Sequence, residues 1–445
     1  MSITDLTLTE TLDALKSGEF TEAELNEAYL DRISKLNPVL NAYIEVVESK
    51  TGIPGAIKDV ISTKGIQTTA GSKILEGYIP PFDATVMRKL SEHNVSTIGK
   101  ANNDEFAMGS SGETSAYGIT KNPWDLNKVP GGSSSGSAAA VAADMAVFAL
   151  GSDTGGSIRQ PASLTGTVGF KPSYGRVSRY GFMAMASSLD CPGTFTKSVA
   201  DARLLLEWME GEDGYDSNVV NAGDQKRVKD LKGVRVGVPK EYFEEGLDAG
   251  IEKVVREATN KFEELGAEII EINLPHTEYA VAVYYIIMAS EVSSNLARFD
   301  GIRFGKSRND FGDEVKRRIM LGTFSLSSGY YDAYFTKAAK VRNLIKQDFE
   351  KAFEKVDVIL GPVSPTTAWN IGEKIDDPLK MYLSDVYTIP ASLAGLPGIS
   401  VPCGFSEGLP VGLQILGPYM EDNLVLDVAE IYEQSVDFRK EKPIL

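Results

Sequence analysis

Three short segments carry residues that could do chemistry together. The first is Gly52-Ile53-Pro54-Gly55-Ala56-Ile57-Lys58-Asp59, in which Lys58 is a lone cation in an apolar, strand-like run. Such a lysine either snorkels to the surface or is buried with a lowered pKa and acts as a base. The second is Pro130-Gly131-Gly132-Ser133-Ser134-Ser135-Gly136-Ser137, which runs straight into Ala138-Ala139-Ala140-Val141. A flexible linker has this composition. Gly and Ser directly before a helix-forming stretch also present free N–H groups and hydroxyls to an anion or a polarised carbonyl. The third is Gly151-Ser152-Asp153-Thr154-Gly155-Gly156-Ser157-Ile158-Arg159. It is either a plain tight turn between strand and helix, or a run of N–H groups forming an oxyanion hole. In the second case Thr154, Gly155 and Gly156 lie beside a hydroxyl able to attack a carbonyl.

Together the segments supply what amide hydrolysis needs. Ser157 is the nucleophile, Lys58 the base, and a hydroxyl such as Ser133 the relay between them. Lysine serves as a base near neutral pH only when burial depresses its pKa strongly.

A competing motif lies inside the second segment. Gly132-x-Ser134-x-Gly136 matches the nucleophile elbow of α/β-hydrolases, which needs a strand before it and a histidine after it. The preceding residues, Pro123 to Pro130, are rich in Pro, Asp and Asn, and the one later histidine, His276, sits at a strand exit. No Gly-Lys-Ser/Thr follows either, so a Walker phosphate loop is not expected. The chain has two histidines (His93, His276) and two cysteines (Cys191, Cys403). That leaves no metal-ligand cluster and no disulfide framework.

The positioning elements read as follows. Thr7-Leu8-Thr9-Glu10 and Thr21-Glu22-Ala23-Glu24 are capping boxes that open two helices within residues 1–45. Gly18 stops the first; the second carries Leu25, Tyr29, Ile33 and Leu36 on one face and is expected to end at Pro38. Val234–Val238, the stripe Ile251 to Leu265, and Ile269-Ile270 form a strand–helix–strand unit with parallel strands. Val356–Leu360 reads as a buried strand, and Ile399–Val401 with Val411–Leu416 as a hairpin. The class is α/β with a mixed sheet. No linker, repeat or charge block divides the 445 residues, so one domain spanning 1–445 is expected.

The charge is 45 Lys+Arg against 62 Asp+Glu, or −17, which argues against direct tight binding of nucleic acid. The densest basic stretch, Lys316-Arg317-Arg318, lies amid acids. The N-terminal residues Met1-Ser2-Ile3-Thr4-Asp5 show no signal-peptide pattern. The apolar run from Ala138 to Leu150 is broken by Asp144 and is too short to span a bilayer. No membrane association is expected, and two reduced thiols fit a cytoplasmic location.

On these residues the chain resembles the amidase signature family, whose enzymes use a Ser–cis-Ser–Lys triad. The family's lysine falls on Lys58, its cis-serine on Ser133, the first serine after Gly131-Gly132, and its nucleophile on Ser157. The resemblance implies the amidase signature fold, a large mixed β-sheet core covered by helices on both faces, with the N-terminal helices packed on the body.

Longer stretches are similar to one branch of that family, the glutaminase subunits of tRNA-dependent amidotransferases. They include Asp104-Glu105-Phe106-Ala107-Met108-Gly109-Ser110, Lys171-Pro172-Ser173-Tyr174-Gly175-Arg176, Arg298-Phe299-Asp300-Gly301-Ile302-Arg303-Phe304-Gly305, Val315-Lys316-Arg317-Arg318 and Leu326-Ser327-Ser328-Gly329-Tyr330-Tyr331. The resemblance implies that glutamine is hydrolysed to glutamate and ammonia, with Tyr284, Arg318 and Asp385 binding the substrate. Arg318 can take the α-carboxylate in a bidentate pair and Asp385 the α-ammonium. Without the resemblance, Arg318 would read as a surface charge and Asp385 as a turn residue. Two partners, the B and C subunits, are implied. The B subunit would hold the mischarged tRNA, Glu-tRNA(Gln) with Asp-tRNA(Asn) as the alternative or additional substrate, and use ATP and Mg, with no cofactor in this chain. A free-standing amidase acting on another amide, or a non-catalytic subunit on the same fold, are the competing readings.

The chain departs from the branch in places. The stretch Val46 to Thr51 before the lysine strand is short, and Gly305 to Gly312 is abbreviated. Ser135 stands where Gly is usual, Val60 where Asn is common, and Cys191-Pro192-Gly193 replaces a usual Gln-Ile-Gly.

Overall fold

A computed structural model describes residues 2–244, 246–303 and 305–445. Met1 and Phe304, which belong to stretches quoted above, lie outside the described residues, as does Glu245. Eleven strands form one sheet among the described residues. They are β1 (Tyr43–Val46), β2 (Ile53–Lys58), β3 (Val95–Ala101), β4 (Phe148–Asp153), β5 (Val168–Lys171) and β6 (Cys191–Thr196). Then follow β7 (Arg235–Pro239), β8 (Glu268–Ile272), β9 (Val358–Pro362), β10 (Gly398–Ser406) and β11 (Leu409–Leu416). The spatial order is β1-β3-β2-β4-β6-β5-β10-β11-β9-β7-β8.

The sheet is mixed. β2 runs parallel to β3 and β4, and β7 parallel to β8 and β9. The central pairings, β4–β6, β6–β5, β5–β10, β10–β11 and β11–β9, are antiparallel. Every residue of β2, β4, β5, β6, β9 and β11 is buried. Alternate side chains point to opposite faces, so such strands need cover on both.

The helices supply that cover. They are α1 (Leu8–Ser17), α2 (Glu22–Leu40), α3 (Thr85–Ser91), α4 (Ser135–Ala142), α5 (Arg159–Thr165), α6 (Val199–Met209) and α7 (Ala249–Glu264). After them come α8 (Ala280–Asn295), α9 (Asp313–Ser325), α10 (Lys337–Phe353), α11 (Pro378–Leu383), α12 (Ile389–Ala394) and α13 (Asp422–Ser435).

Both expected capping boxes form, and Gly18 closes α1 in the left-handed conformation. Leu25, Tyr29 and Ile33 are buried, so α2 packs its apolar stripe on the body. Its end differs from expectation. The helix passes through Pro38 to Leu40 and stops at Asn41 (φ 52), whose N–H bonds Asn37 O at 2.8 Å. Pro38 lies in the last turn, where a lost N–H disturbs little of the helix ahead of it, and burial of Leu40 holds the end down. The β7–α7–β8 unit and the β10–β11 hairpin form as their patterns predict. Strand β1 has no counterpart among the expected elements; it pairs antiparallel with β3 and leads through the short 47–52 connection into β2.

Thr277–Arg298, which contains α8, is the one helical run among the described residues long and apolar enough to cross a membrane. Half of its apolar window is buried, and it packs against α9, α10 and α12.

Candidate active site

Lys58 is the last residue of β2, held between β3 and β4. The strand can lie that close to β4 because Gly55 has no side chain; a Cβ there would stand 2.8 Å from the Phe148 ring. Lys58 is fully buried. Its Nζ donates to Ser133 Oγ (2.7 Å), Ser134 Oγ (2.9 Å) and Ser152 Oγ (3.0 Å), with Ser152 O at 3.4 Å. No carboxylate among the described residues pairs with it directly. Burial therefore lowers its pKa to about 7, against the pull of Asp104, Asp153 and Asp190. Lys100, one strand away, is also buried, but its ammonium is engaged by Asp59, Ile61 O, Thr63 and Thr68.

Ser133 sits just before α4, and the Gly132–Ser133 peptide is cis. Its carbonyl accepts from Asp104 N (3.1 Å). A Cβ on Gly132 would meet Asp104 Oδ2 at 2.1 Å, and one on Gly136 would meet Ala42 O at 2.2 Å. The glycines of the elbow-like pattern thus permit close backbone packing. Ser134 faces Lys58, while His276 pairs with Asp348 (2.9 Å), so among the described residues Ser134 is not paired with a histidine. Ser135, at the usual Gly position, lies where a Gly112 Cβ would stand 2.5 Å from its own Cβ. The missing side chain at 112 makes room for it.

Ser157 follows β4 in the turn before α5 and is 9% exposed. Below the turn, Asp153 and Arg159 form a fully buried pair at 3.0 Å. Asp153 Oδ2 also accepts from Ile158 N (3.3 Å). A hydrogen bond from Gly132 N to Gln160 Oε1 (3.0 Å) ties α5 to the Ser133 loop. Thr154 Oγ1 donates to Asp190 Oδ1 (2.8 Å). Burial raises the Asp190 carboxyl to about 6. Among the described residues, none of the N–H groups from Thr154 to Ser157 is bonded to a protein acceptor. They are free to meet a developing oxyanion.

Two other candidates border this turn. The buried Tyr284 ring of α8 would stand 2.8 Å from a Cβ on Gly155, and Asp385 Oδ1 3.1 Å from one on Gly156. Asp385, in the turn between α11 and α12, is buried. It accepts from Ser110 Oγ (2.5 Å), while its other oxygen has no partner among the described residues. Burial pushes its carboxyl up to about 7.

Arg318 on α9 is 2% exposed, not the surface charge its local sequence suggests. Its Nε donates to Glu314 (2.8 Å), and its guanidinium lies 5.3 Å from the Tyr285 ring centroid and 5.7 Å from that of Tyr382. These contacts leave Nη2 without a protein acceptor among the described residues. Arg318 borders a cavity of about 380 Å³ whose wall also includes Ser110, Ser111, Glu314 and Tyr382. The cavity thus reaches Ser110, which touches Asp385, and Ser111, whose N lies 2.7 Å from a Cβ built on Gly132. The geometry thus joins Lys58 to Ser133, sets Tyr284 and Asp385 against the Gly155–Gly156 turn that precedes Ser157, and puts Arg318 on the wall of the cavity that reaches Ser110.

Sequence reasoning missed Ser134 and Ser152 as partners of Lys58, Ser110 as partner of Asp385, and Glu314 as anchor of Arg318. Only Glu314 carried a local signal, the i,i+4 spacing to Arg318. The others meet their partners through tertiary packing.

Comparison with known proteins gives a consistent result. The family model described as Amidase matches residues 49–426. The chain is similar to the A subunit of the glutamyl-tRNA(Gln) amidotransferase of Thermoanaerobacter pseudethanolicus, 53% identical over 477 aligned positions covering 98% of each chain. It is 50% identical to the same-named protein of Myxococcus xanthus over 486 positions covering all of both chains. Both alignments are longer than the 445 residues here, so those relatives carry segments this chain lacks. The crystal structure of the corresponding glutamyl-tRNA(Gln) amidotransferase protein from Thermotoga maritima is similar with a TM-score of 0.87 at 47% identity, covering 98% of this chain and 95% of that one.

Proposed function

Because the chain belongs to the amidase family, we propose that it works as the glutamine-hydrolysing A subunit of a glutamyl-tRNA(Gln) amidotransferase, as its relatives' names describe. The observation that carries the chemistry is the contact of Lys58 Nζ with Ser133 Oγ at 2.7 Å, in a setting where burial brings that lysine to about 7.

The chemistry runs through this chain's own groups. Arg318 takes the α-carboxylate of glutamine, and the unpartnered oxygen of Asp385 takes the α-ammonium. Tyr284 walls the side chain against Gly155. Neutral Lys58 accepts a proton from Ser133 Oγ, which accepts one from Ser157 Oγ. The Ser157 oxygen then bonds to the amide carbon. Negative charge moves onto the amide oxygen, which faces the N–H groups of the 154–157 turn. When the tetrahedral species collapses, the carbon–nitrogen bond breaks, and the proton held by Lys58 returns through Ser133 to the leaving nitrogen. Ammonia departs and a γ-glutamyl ester remains on Ser157. Water attacks that ester by the same proton route, releasing glutamate and restoring Ser157.

The ammonia serves amidation of a mischarged tRNA on a B subunit, with a C subunit completing the complex. ATP and Mg act on the B subunit, and this chain needs no cofactor of its own. The complex is cytoplasmic. An acidic chain of net charge −17 suits a subunit that makes ammonia while its partner holds the tRNA. The experiment is glutamine-dependent ammonia release by the chain co-purified with B and C subunits. Release from simple amides but not from glutamine would instead identify a free-standing amidase.

A further inference from the structure

The peptide between Gly155 and Gly156 is the least constrained part of the turn by its own chemistry, since neither residue has a side chain. The structure nevertheless holds it. Thr388 Oγ1 donates to Gly155 O at 2.7 Å. In a planar trans peptide the N–H points opposite to the carbonyl. Anchoring Gly155 O therefore fixes the direction of the Gly156 N–H. We propose that Thr388 is a positioning residue that orients the Gly155–Gly156 peptide so that the Gly156 N–H serves as an oxyanion donor. The proposal rests on reading the 154–157 turn as the oxyanion hole.

Thr388 is well placed for this. It is fully buried, and its methyl-bearing carbon is 3.0 Å from where a Gly156 Cβ would stand. Its own backbone is fixed at both ends. Its N–H donates to Asp385 O (3.1 Å), and its carbonyl accepts from Arg159 Nη1 (3.0 Å). Arg159 is in turn paired to Asp153 at the start of the same turn. The hydroxyl also lies 3.1 Å from Asp385 O, but it has one proton and the shorter contact is with Gly155 O. Thr388 lies three residues beyond Asp385, so one short loop carries both the partner for the substrate ammonium and the brace for the oxyanion peptide. A donor fixed before reaction costs no reorganisation as charge develops.

The test compares Thr388→Val, Thr388→Ala and Thr388→Ser in the full chain with its partner subunits. A p-nitrophenyl ester burst counts competent sites by its amplitude and reads acylation per site by its rate, without using glutamine. Steady-state ammonia release gives kcat and KM. Loss of one oriented oxyanion donor should cut the per-site acylation rate and kcat by about tenfold or more in Val and Ala variants. Burst amplitude and the glutamine KM should stay near wild type, and Thr388→Ser should keep most of the rate. The alanine variant adds no bulk, so it reads the hydroxyl even where valine perturbs folding. The proposal is overturned if Thr388→Ala acylates at the wild-type rate per site, or if Thr388→Ser loses as much as Thr388→Ala. A wild type that shows the ester effect but releases no ammonia from glutamine would sink the glutaminase reading and leave the Thr388 brace standing. A wild type that acylates with neither compound would overturn both.

Discussion

Lys58 Nζ and Ser133 Oγ lie 2.7 Å apart at the buried end of β2, and no carboxylate among the described residues pairs with the lysine. An unpaired ammonium in that position is unstable enough to lose its proton near neutrality. Replacing Lys58 by Met keeps most of the volume and removes the base. Glutamine hydrolysis should fall by roughly 10²–10⁴-fold while the chain stays folded. Activity near wild type would remove the lysine from proton transfer.

The pH dependence follows from two groups with the same sign. Lys58 must be neutral to act, and Asp385 must be ionised to bind an ammonium; each is near 7 in the free protein. Both conditions fail as pH drops. The logarithm of kcat/KM should therefore rise with a slope approaching 2 below about pH 6.5 and level off above about pH 8. A bound α-ammonium holds Asp385 ionised, so kcat itself should rise with a slope near 1. Asp385→Asn should reduce the kcat/KM slope to 1. A single-proton limb in wild-type kcat/KM would contradict the role of Asp385.

In the proposed mechanism Arg318 binds glutamine and takes no part in proton transfer. Arg318→Lys keeps the charge but loses the fork and its contact with Glu314. The glutamine KM should rise by roughly 10- to 100-fold with a smaller change in kcat, as expected for a lost charge-assisted hydrogen bond. Steady-state kinetics on this variant, with burst amplitude as the folding control, separates the two terms.

Gly132→Ala tests the packing behind Ser133. The new Cβ would lie 2.1 Å from Asp104 Oδ2 and 2.7 Å from Ser111 N. Asp104 cannot move aside freely, because it accepts from Gly112 N and from Thr114 N and Oγ1. The variant should lose stability by a few kcal/mol, within the usual range for a buried steric clash. It should also lose activity beyond that, since Ser133 must shift. Thermal unfolding and kcat per burst site measure the two effects.

The proposed triad stands out in the sequence because its members sit in contiguous segments whose local patterns are unusual: a lone lysine in an apolar strand, and glycine turns abutting a helix and a strand. The helices at 8–40, the β7–α7–β8 unit and the β10–β11 hairpin were legible because their periodicity and capping residues are local. The order of eleven strands was not, since it depends on pairings between distant segments such as β5 with β10. Arg318 and Asp385 carry no local mark of burial. Arg318 lies on the cavity wall and Asp385 connects to it only through Ser110, and the resemblance to a family alone pointed to them. Pro38 misled because a proline in the final turn does less to end a helix than a proline in its middle.

The most direct test of the account is ammonia release from glutamine by the chain co-purified with candidate B and C subunits, comparing wild type with Ser157→Ala. The account predicts release by the wild type and none above background in the variant, with both proteins folded alike. Release that survives the loss of the Ser157 hydroxyl, or a folded wild-type complex that releases no ammonia even with ATP and mischarged tRNA supplied, would contradict it.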